Sequence, residues 1–437
     1  MNLTKEIVEF VATLQPEIVE RRRDLHQHPE PGWTEFRTAS LVAQELTALG
    51  YTVVTGEKAI KKDAMMGVPS PEVLANAQAR AIQEGADPQW VHQMDGGLTG
   101  IMATMQFAST GPVVGLRFDM DANDVTETCA NEHFPLQNGF ASTHDKAMHA
   151  CGHDGHTSVG LAIAKVLAHF RTQLQGSVKL IFQPAEEGVR GAKAMVANGD
   201  VDDVNYMLGS HFGFKMKETG QIACDVTGFL ATSKYDAKFT GVPAHAGAAP
   251  EEGKNALLAA ACAALNLHAI ARHSGGSSRI NVGTLEAGSG RNVIADKALL
   301  KLETRGATSA INSYMEAEAE RIIKAAALMY DVDVTITKMG GAAGGSNSPA
   351  LSAYIEQQAQ ELGIFKEIVT TCDFGASEDY SYFMERVQAN GGQAAYIMVG
   401  ANLAAGHHDS QFDFDEKALG YATKYLSTLT AKLLLNK

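Results

Sequence analysis

Apolar residues recur with a helical period in some stretches of the chain and in short, nearly unbroken runs in others, so the pattern predicts both helices and strands. The opening segment "MNLTKEIVEFVATLQPEIVERRRDLHQHPE" is typical of an amphipathic helix, residues 34–50 predict a second helix, and "YTVVT" predicts a strand. Further strands are predicted at residues 100–107, 112–122, 177–183, 204–212 and 394–400, alternating with helices such as residues 158–173. This order indicates βαβ units around a mostly parallel sheet.

The pattern changes between residues 230 and 339. There the predicted order is strand, helix, strand, strand, helix, strand, with helices at residues 255–272 and 309–330. That order is typical of a ferredoxin-like βαββαβ unit. Because the earlier pattern resumes after the loop "GGAAGGSNSP", we predict the α/β fold class, with one domain built from residues 1–229 and 340–437 and a second, inserted domain at 230–339.

One stretch fits neither domain. Residues 57–97 hold helical pieces between turn-forming residues. We interpret this stretch as an insertion or lid-like segment, called the excursion below, and the sequence leaves its role open.

Composition and charge narrow the class of protein. A chain of 437 residues exceeds what one hydrophobic core usually supports, which favours two domains. The formal net charge is −14, and Lys and Arg form no basic stripe, so nucleic acid and anionic membranes are poor partners. The sequence shows no signal peptide and no apolar run long enough to span a membrane. We expect a cytoplasmic protein.

The candidate chemistry follows the predicted strands. "HACGHDGHT" at residues 149–157 precedes a helix, Glu186 and Glu187 follow "SVKLIFQ", His211 follows "VNYMLGS", and a histidine pair follows "AAYIMVG". Ligands of open α/β sheets bind beyond the carboxyl ends of the strands, where these side chains would meet. A lone histidine is usually structural, but four such clusters together indicate a metal site.

Residue spacing suggests which of these groups could bind a metal ion and which could transfer a proton. Cys151 and His153 are two residues apart, so on an extended segment both side chains point to one side and can share a metal ion. A buried thiol beside a helix cap is the alternative. Glu186 and Glu187 are adjacent and diverge in extended geometry, so we expect one to ligate and the other to take a proton from metal-activated water. A solvated helix start would also explain the two glutamates.

The mixture of donors indicates which metals fit. A thiolate, imidazoles and a carboxylate suit zinc, and manganese or cobalt is tolerated when more oxygen and nitrogen donors contribute. Two divalent ions would use five ligands, namely Cys151, His153, Glu187, His211 and His408. His149 and His156 are then supporting or structural residues, and His407 is the alternative to His408.

The chain resembles the di-metal amidohydrolase family that includes hippurate hydrolases, indole-acetyl amino acid hydrolases and p-aminobenzoyl-glutamate hydrolases. The matching motifs run in order along nearly the whole chain: "HACGHDGHT", "QPAEEG", "GSHFGF", "GVPAHAGAAPEEGKNAL", "GRNVIAD", "GASEDYSYF" and "GHHDSQFDFDE". The resemblance implies a catalytic α/β domain with an inserted ferredoxin-like domain that serves in dimerisation or as a lid.

The resemblance also implies roles for single residues. It implies that the five residues named above ligate, that Glu186 is the general base, and that His245 steadies the tetrahedral oxyanion in a neighbouring subunit's site. Asn292 and Arg305 look like the lid residues that hold the substrate's carboxylate and amide, work that suits a bidentate guanidinium. Without the resemblance, His245 would be interpreted as a turn histidine. Asn292 or Arg305 could instead form a salt bridge at the rim.

Three departures from the family pattern matter. Related peptidases carry His-x-Asp in the strand that here contains "RFDMDA", so Arg117 cannot ligate and Asp119 is expected to orient a ligand. The tail motif has two histidines where one is expected, and alignment on "HDSQFDFDE" favours His408. The long excursion and Arg291 are similar to the A subunits of p-aminobenzoyl-glutamate hydrolases.

We therefore predict a metal-dependent amidohydrolase that cleaves the amide bond of an N-acyl amino acid. The favoured substrate is p-aminobenzoyl-glutamate, split into p-aminobenzoate and glutamate, because Arg291 and Arg305 offer positive charge for glutamate. The alternatives are a broader N-acyl amino acid deacylase of the hippuricase or aminoacylase type, and a non-catalytic metal-binding scaffold subunit. The expected partner is a second copy of the chain or a related B subunit.

Overall fold

The computed structural model describes residues 3–107 and 110–435, and strands and helices alternate through most of them. In these residues the strands are β1 Thr52–Val54, β2 Ile101–Gln106, β3 Val113–Asp119, β4 Ser177–Gln183, β5 Tyr206–Phe212, β6 Gln221–Thr227, β7 Ala231–Thr240, β8 Ser278–Ala287, β9 Lys297–Gly306, β10 Asp333–Ala342, β11 Glu367–Asp373 and β12 Gln393–Val399. The α-helices are α1 Leu3–Gln27, α2 Phe36–Ala48, α3 Pro71–Gln83, α4 Pro88–Val91, α5 Phe134–Gln137, α6 His153–His169, α7 Ala192–Val196, α8 Ala256–Leu267, α9 Ser309–Met329, α10 Pro349–Leu362, α11 Ser381–Ala389 and α12 Lys417–Leu435.

The chain divides into two units. The larger one comprises the chain up to Thr227, Ser346–Phe374 and the chain from Asp379 onward, and the smaller one comprises Gly228–Gly345 and Gly375–Glu378. That the larger unit is catalytic and the smaller one serves as a dimerisation or lid domain stays a prediction.

The larger unit is built on a sheet with the strand order β1-β2-β4-β3-β5-β12-β6-β11. Its centre is parallel, since β4, β3, β5 and β12 all run the same way, whereas β1 and β2 pair antiparallel at one edge. The central strands are nearly continuous runs of buried residues, as expected when helices cover both faces. Helix α6 lies close to the sheet because Gly160 leaves room for two rings: a Cβ there would come within 2.8 Å of both Phe118 and Phe182.

The smaller unit contains an antiparallel sheet with the order β10-β7-β9-β8. In chain order its elements are β7, α8, β8, β9, α9 and β10, which is the ferredoxin-like βαββαβ arrangement. Apolar residues of α8 and α9 pack with those of the strands into a separate core. The predicted fold class, a mostly parallel α/β sheet plus an inserted βαββαβ unit, is confirmed.

Two strands of the large sheet, β6 and β11, were not predicted. Edge strand β11 exposes most of its side chains and therefore lacks the apolar run that marks the central strands. The excursion contains α3, α4 and short 3-10 helices, as its helical pieces indicated. Among the described residues, no helix is both long enough and apolar enough to cross a bilayer.

A buried ion network anchors the N-terminal helix. Arg22 of α1 is fully buried, its Nε donates to Asp154 Oδ2 at 2.8 Å, and its Nη2 donates to Asp413 Oδ1 at 2.7 Å. Burial alone would raise the pKa of Asp154, but Arg22 and His26 hold that pKa far below its ordinary value. Because Asp154 lies in the first turn of α6, this network fixes the start of that helix against α1.

We predict that Arg22→Gln lowers the free energy of unfolding of the larger unit by about 3–5 kcal/mol, because it leaves Asp154 and Asp413 buried without their cation. The matched control is Arg21→Gln, which removes a partly exposed ion pair with Glu45 and should cost less than about 1 kcal/mol. Urea unfolding followed by tryptophan fluorescence measures both. Equal losses in the two variants would show that the buried network does not stabilise the unit.

Candidate metal centre

Four neighbouring parallel strands carry the candidate residues to one edge of the large sheet. Asp119 is the last residue of β3, Glu186 and Glu187 follow β4, and His211 lies at the end of β5. The histidine pair at 407 and 408 lies in the loop after β12. Because these strands run in the same direction, their carboxyl ends meet, and the side chains come from segments far apart in the sequence.

Cys151 and His153 come together through a glycine rather than through an extended segment, which corrects the expected geometry. Gly152 has a φ of +92° and caps α6, and His153 is the first residue of that helix. A left-handed residue at this position is easily accommodated by glycine. Cys151 Sγ lies 3.5 Å from His211 Nε2, and the ligand atoms of Cys151, His153 and His211 all lie within 4.8 Å of one another.

Hydrogen bonds orient two of these rings for ligation. His153 Nδ1 donates to the carbonyl of Asp121 at 2.9 Å, and His211 Nδ1 donates to the carbonyl of Phe212 at 2.8 Å. In the neutral form that a bound metal would favour, each ring therefore presents an unprotonated Nε2. His153 Nε2 is buried and has no hydrogen-bond partner among the described residues. Metal-ligating histidines use the same arrangement, in which the second ring nitrogen donates to a carbonyl or carboxylate.

Buried carboxylates hold the turn that carries the two glutamates. The N–H of Ala185 donates to Glu35 Oε1 at 2.8 Å, and the N–H groups of Glu186 and Glu187 donate to Asp121 Oδ1 and Oδ2 at 3.0 and 2.8 Å. Three successive amides are thus fixed, and Ala185 adopts a left-handed φ of +51°. Burial and the charge of Asp121 raise the pKa of Glu35 to about 8.

The expectation that Glu186 and Glu187 diverge is wrong. The segment forms a turn rather than an extended strand or a helix start, so two neighbouring side chains can face the same space. Ligand atoms of His153, Glu186 and Glu187 lie within 4.8 Å of one another. Both carboxylates therefore reach the candidate centre, and sequence adjacency does not decide which one ligates.

The two tail histidines face different surroundings. His408 Nε2 lies 3.2 Å from Glu187 Oε1, and ligand atoms of Cys151, Glu187 and His408 lie within 4.8 Å of one another. His407 Nε2 donates to the carbonyl of Phe212 at 3.1 Å, and its ring stacks on Phe214 at a centroid distance of 3.9 Å. Burial lowers the pKa of His407 to about 4. His408 is thus grouped with two other candidate ligands, while His407 packs against an aromatic ring.

The electrostatics of the centre suit a cation. Burial raises the pKa of the Cys151 thiol, and the charges of Glu187, Glu186 and Asp119 raise it further. Burial would lower the pKa of His153, but Asp119 and Asp121 raise it to about 10. A metal ion would supply the positive charge that these carboxylates attract, and it would favour the thiolate and the neutral imidazole. The donor set and the charges therefore fit a divalent metal.

Asp119 contacts residues that surround the candidate centre. It accepts a hydrogen bond from His156 Nδ1 at 2.6 Å, pairs with Arg117, and lies 3.8 Å from His153 Nε2. His156 Nε2 accepts the N–H of Phe212 at 3.2 Å, so both of its ring nitrogens are engaged within the protein. His149 is buried with neither ring nitrogen hydrogen-bonded among the described residues, and burial lowers its pKa to about 3.

Sequence patterns did not single out Glu35, Asp121 and Asn123 as residues of the centre. Asp121 and Asn123 lie just beyond "RFD", and their place at the end of a predicted strand could have indicated that they lie near the candidate ligands. Asn123 Oδ1 accepts the N–H of Ala150, and its side chain hydrogen-bonds Glu187, which contributes to the lowered pKa of that carboxylate. Glu35 gave no such signal, because it lies in a stretch predicted as a helix and is far in sequence from the other candidate residues.

The remaining predicted site residues belong to the smaller unit. His245 is exposed, and its Nδ1 accepts the N–H groups of Gly247 and Ala248 at 3.2 Å, which leaves the ring proton on Nε2. Arg291 and Asn292 are exposed, and they directly precede Val293, which forms a β-bridge with His245. Arg305 lies on β9 and donates to both carboxylate oxygens of Glu303 at 2.9 and 3.3 Å.

Comparison with known proteins identifies the family. The family model described as peptidase family M20/M25/M40 matches residues 115–432. The chain belongs to peptidase family M20/M25/M40. Membership confirms the predicted family resemblance and the prediction of a metal-dependent amidohydrolase.

Several relatives match almost the full length of the chain. Indole-3-acetyl-aspartic acid hydrolase of Enterobacter agglomerans is 48% identical, over 97% of this chain and 97% of its own. The p-aminobenzoyl-glutamate hydrolase of Escherichia coli strain K12 has an A subunit that is 49% identical, over 96% of each chain. The crystal structure of an aminobenzoyl-glutamate utilization protein from Klebsiella pneumoniae is 41% identical and covers 97% of each chain with a TM-score of 0.84.

We predict that His408→Ala reduces the metal content of this M20 chain, whereas His407→Ala leaves it nearly unchanged. The reason is that His408 lies beside Glu187 and Cys151, while His407 hydrogen-bonds a carbonyl and stacks on a ring. Loading with zinc followed by gel filtration and elemental analysis measures the bound metal. Retention of full metal content by His408→Ala, with loss in His407→Ala, would reverse the assignment.

Proposed function

We propose that the chain hydrolyses p-aminobenzoyl-glutamate to p-aminobenzoate and glutamate, with two divalent ions, zinc or manganese, as cofactors. The observation that carries the proposal is the convergence of five metal-competent side chains beside a second glutamate. One group contains Cys151, His153 and His211, and another contains Cys151, Glu187 and His408. The two groups share the thiol, which supports two neighbouring ions rather than one.

The residues would divide into ligands and a base. The proposed ligands are Cys151, His153, Glu187, His211 and His408, and bound there the ions would polarise the amide carbonyl and acidify a water molecule. Glu186 is proposed as the general base, because it reaches the centre from the same fixed turn as Glu187 but belongs to neither of the two groups that share the thiol. Its carboxylate would take a proton from the attacking water and give it to the departing amide nitrogen.

His245 is proposed to complete the reaction from another subunit. Its hydrogen bonds leave a proton on Nε2, so the neutral ring is a donor, as stabilisation of an oxyanion requires. Asn292 and Arg305 are proposed to hold the substrate's carboxylate and amide, with Arg291 adding positive charge. Each of these four residues lies in the smaller unit, and their assignment rests on the family resemblance.

The names of two relatives support an acidic amino acid in the substrate. One relative is named for indole-3-acetyl-aspartic acid and another for p-aminobenzoyl-glutamate. These acyl groups differ, whereas both amino acids carry a second carboxylate. The amino acid is therefore the better supported part of the proposed substrate.

The proposed function predicts that the zinc- or manganese-loaded protein hydrolyses p-aminobenzoyl-glutamate faster than p-aminobenzoyl-alanine. Glu186→Gln should lower kcat by about 100- to 10,000-fold while retaining metal, because it removes the proton carrier and no ligand. Glu187→Gln is the matched control and should lose metal as well as activity. Release of p-aminobenzoate, measured by chromatography, gives the rates, and elemental analysis gives the metal content.

Two results would contradict this proposal. A faster reaction with the alanine substrate would point to a broader acyl amino acid deacylase. Near-normal turnover by metal-loaded Glu186→Gln would remove that residue as the base.

We further propose that the active assembly contains two chains, either two copies or this chain with a related B subunit. The smaller unit offers an edge strand, β8, most of whose residues are at least partly exposed. If His245 acts in the neighbouring subunit's site, inactive Glu186→Gln and inactive His245→Ala proteins should regain activity when mixed and allowed to exchange subunits. Random exchange of homodimers would restore about a quarter of the wild-type rate, because half of the dimers are mixed and each has one intact site.

Refolding the two variants together and assaying the mixture tests this prediction, with each variant refolded alone as the control. An absence of recovery, in a mixture shown by a tagged subunit to contain mixed dimers, would place His245 in its own chain's site or outside the reaction.

A further inference from the structure

A cavity of about 460 Å³ lies within the larger unit, and the excursion forms one of its walls. We call it the excursion cavity. Helix α3 supplies Asn76 and Arg80, and the other walls include Gly32, Thr34, Asp124 and Arg190. Two guanidinium groups from separate segments thus border one space.

Neither guanidinium is in contact with an acidic side chain. Arg190 Nε donates to the carbonyl of Glu187 at 2.8 Å, and Arg190 Nη1 donates to the carbonyl of Gly67 at 3.1 Å. Arg80 Nε is buried and has no hydrogen-bond partner among the described residues. In the part of the chain that the structure describes, no carboxylate lies within ion-pair distance of Arg80 or Arg190, although Asp124 lines the same cavity.

One buried carboxylate, that of Glu30, lies near enough to sense the charge of Arg80. Burial raises the pKa of Glu30, and the charge of Arg80 opposes that rise. The two oxygens of Glu30 accept the backbone N–H groups of Arg37 and Thr38 at 2.9 and 2.8 Å. Glu30 therefore holds the start of α2 and does not pair directly with the guanidinium.

This lack of direct pairing sets the two cavity residues apart from the fully buried arginines of the larger unit. Arg22 contacts Asp154 and Asp413, and Arg117 contacts Asp119 and Asp379. Arg80 and Arg190 are half-buried, and among the described residues neither has a carboxylate in contact to balance its charge. Two such cations around one cavity favour a bound anion. The planar fork of arginine binds carboxylates through two parallel hydrogen bonds.

The cavity borders the turn that carries Glu186 and Glu187. Arg190 lies three residues after Glu187 and holds its carbonyl. The packing is close, because a Cβ on Gly32 would clash with Arg190 Nη2. Asp124, which also lines the cavity, follows Asn123, whose side chain hydrogen-bonds Glu187. A residue that lines the cavity thus hydrogen-bonds the turn that carries the proposed base and a proposed ligand, which places the cavity next to that turn.

We propose that the excursion cavity binds the side-chain carboxylate of an acidic amino acid in the substrate, with Arg80 as the residue that determines this specificity. The proposal rests on the proposed function, and it gives the excursion a role. Arg305, proposed above to hold the substrate's carboxylate and amide, shares its charge with Glu303, which favours a separate cation for the second carboxylate of an acidic amino acid. Arg80 has no such direct ion pair among the described residues.

The test compares p-aminobenzoyl-glutamate with p-aminobenzoyl-glutamine, which has the same shape but no side-chain charge. Arg80→Met in the zinc-loaded protein should lower kcat/KM for the glutamate substrate by about 10- to 100-fold, because a charge-assisted hydrogen bond is lost, and should leave the glutamine substrate nearly unchanged. Arg80→Lys, which keeps the charge, should retain part of the preference. Lys62→Met removes an exposed charge elsewhere in the excursion and is the matched control.

A binding measurement separates failure of the cavity from failure of the proposed function. Calorimetry with zinc-loaded Glu186→Gln, with and without Arg80→Met, measures affinity for both compounds without turnover. A loss of affinity confined to the glutamate compound supports the cavity even if the wild-type protein hydrolyses neither compound, in which case the proposed function fails. Equal losses for both compounds, or no loss, would overturn the cavity assignment even if hydrolysis is normal.

Discussion

The parallel direction of β4, β3, β5 and β12 is the constraint on which the rest of the structure depends. Parallel neighbours must all end at the same edge of the sheet, so residues separated by more than two hundred positions in sequence meet there without any local motif. The central strands are buried along nearly their whole length. A centre that needs several ligands at fixed separations is thereby built at the ends of buried strands.

Buried carboxylates next to that edge of the sheet fix the segments that carry the candidate metal ligands. Asp121 and Glu35 hold three successive amides of the glutamate turn, and Asp119 holds His156 and faces His153. These groups have a second effect, because their negative charge makes the region attractive to cations. The same side chains that fix the geometry therefore also favour occupancy by a divalent ion.

The sequence predicted those parts of the molecule that depend on patterns within one segment. Buried runs identified the central strands, and the fold class followed from their order. The position of Gly152 between a thiol and an imidazole did not reveal that its left-handed backbone, rather than an extended strand, brings Cys151 and His153 together. The convergence of Glu186 and Glu187 depends on hydrogen bonds from their turn to Asp121 and Glu35, and no short-range spacing encodes contacts of that kind.

The strand order also bears on how the protein is made. Strand β12 lies between β5 and β6, although it is the last strand of the large sheet to be synthesised. A nascent chain therefore cannot close the sheet until almost all of it has left the ribosome, and His408 emerges later still. A chain released before that point would present open strand edges that promote association with other chains.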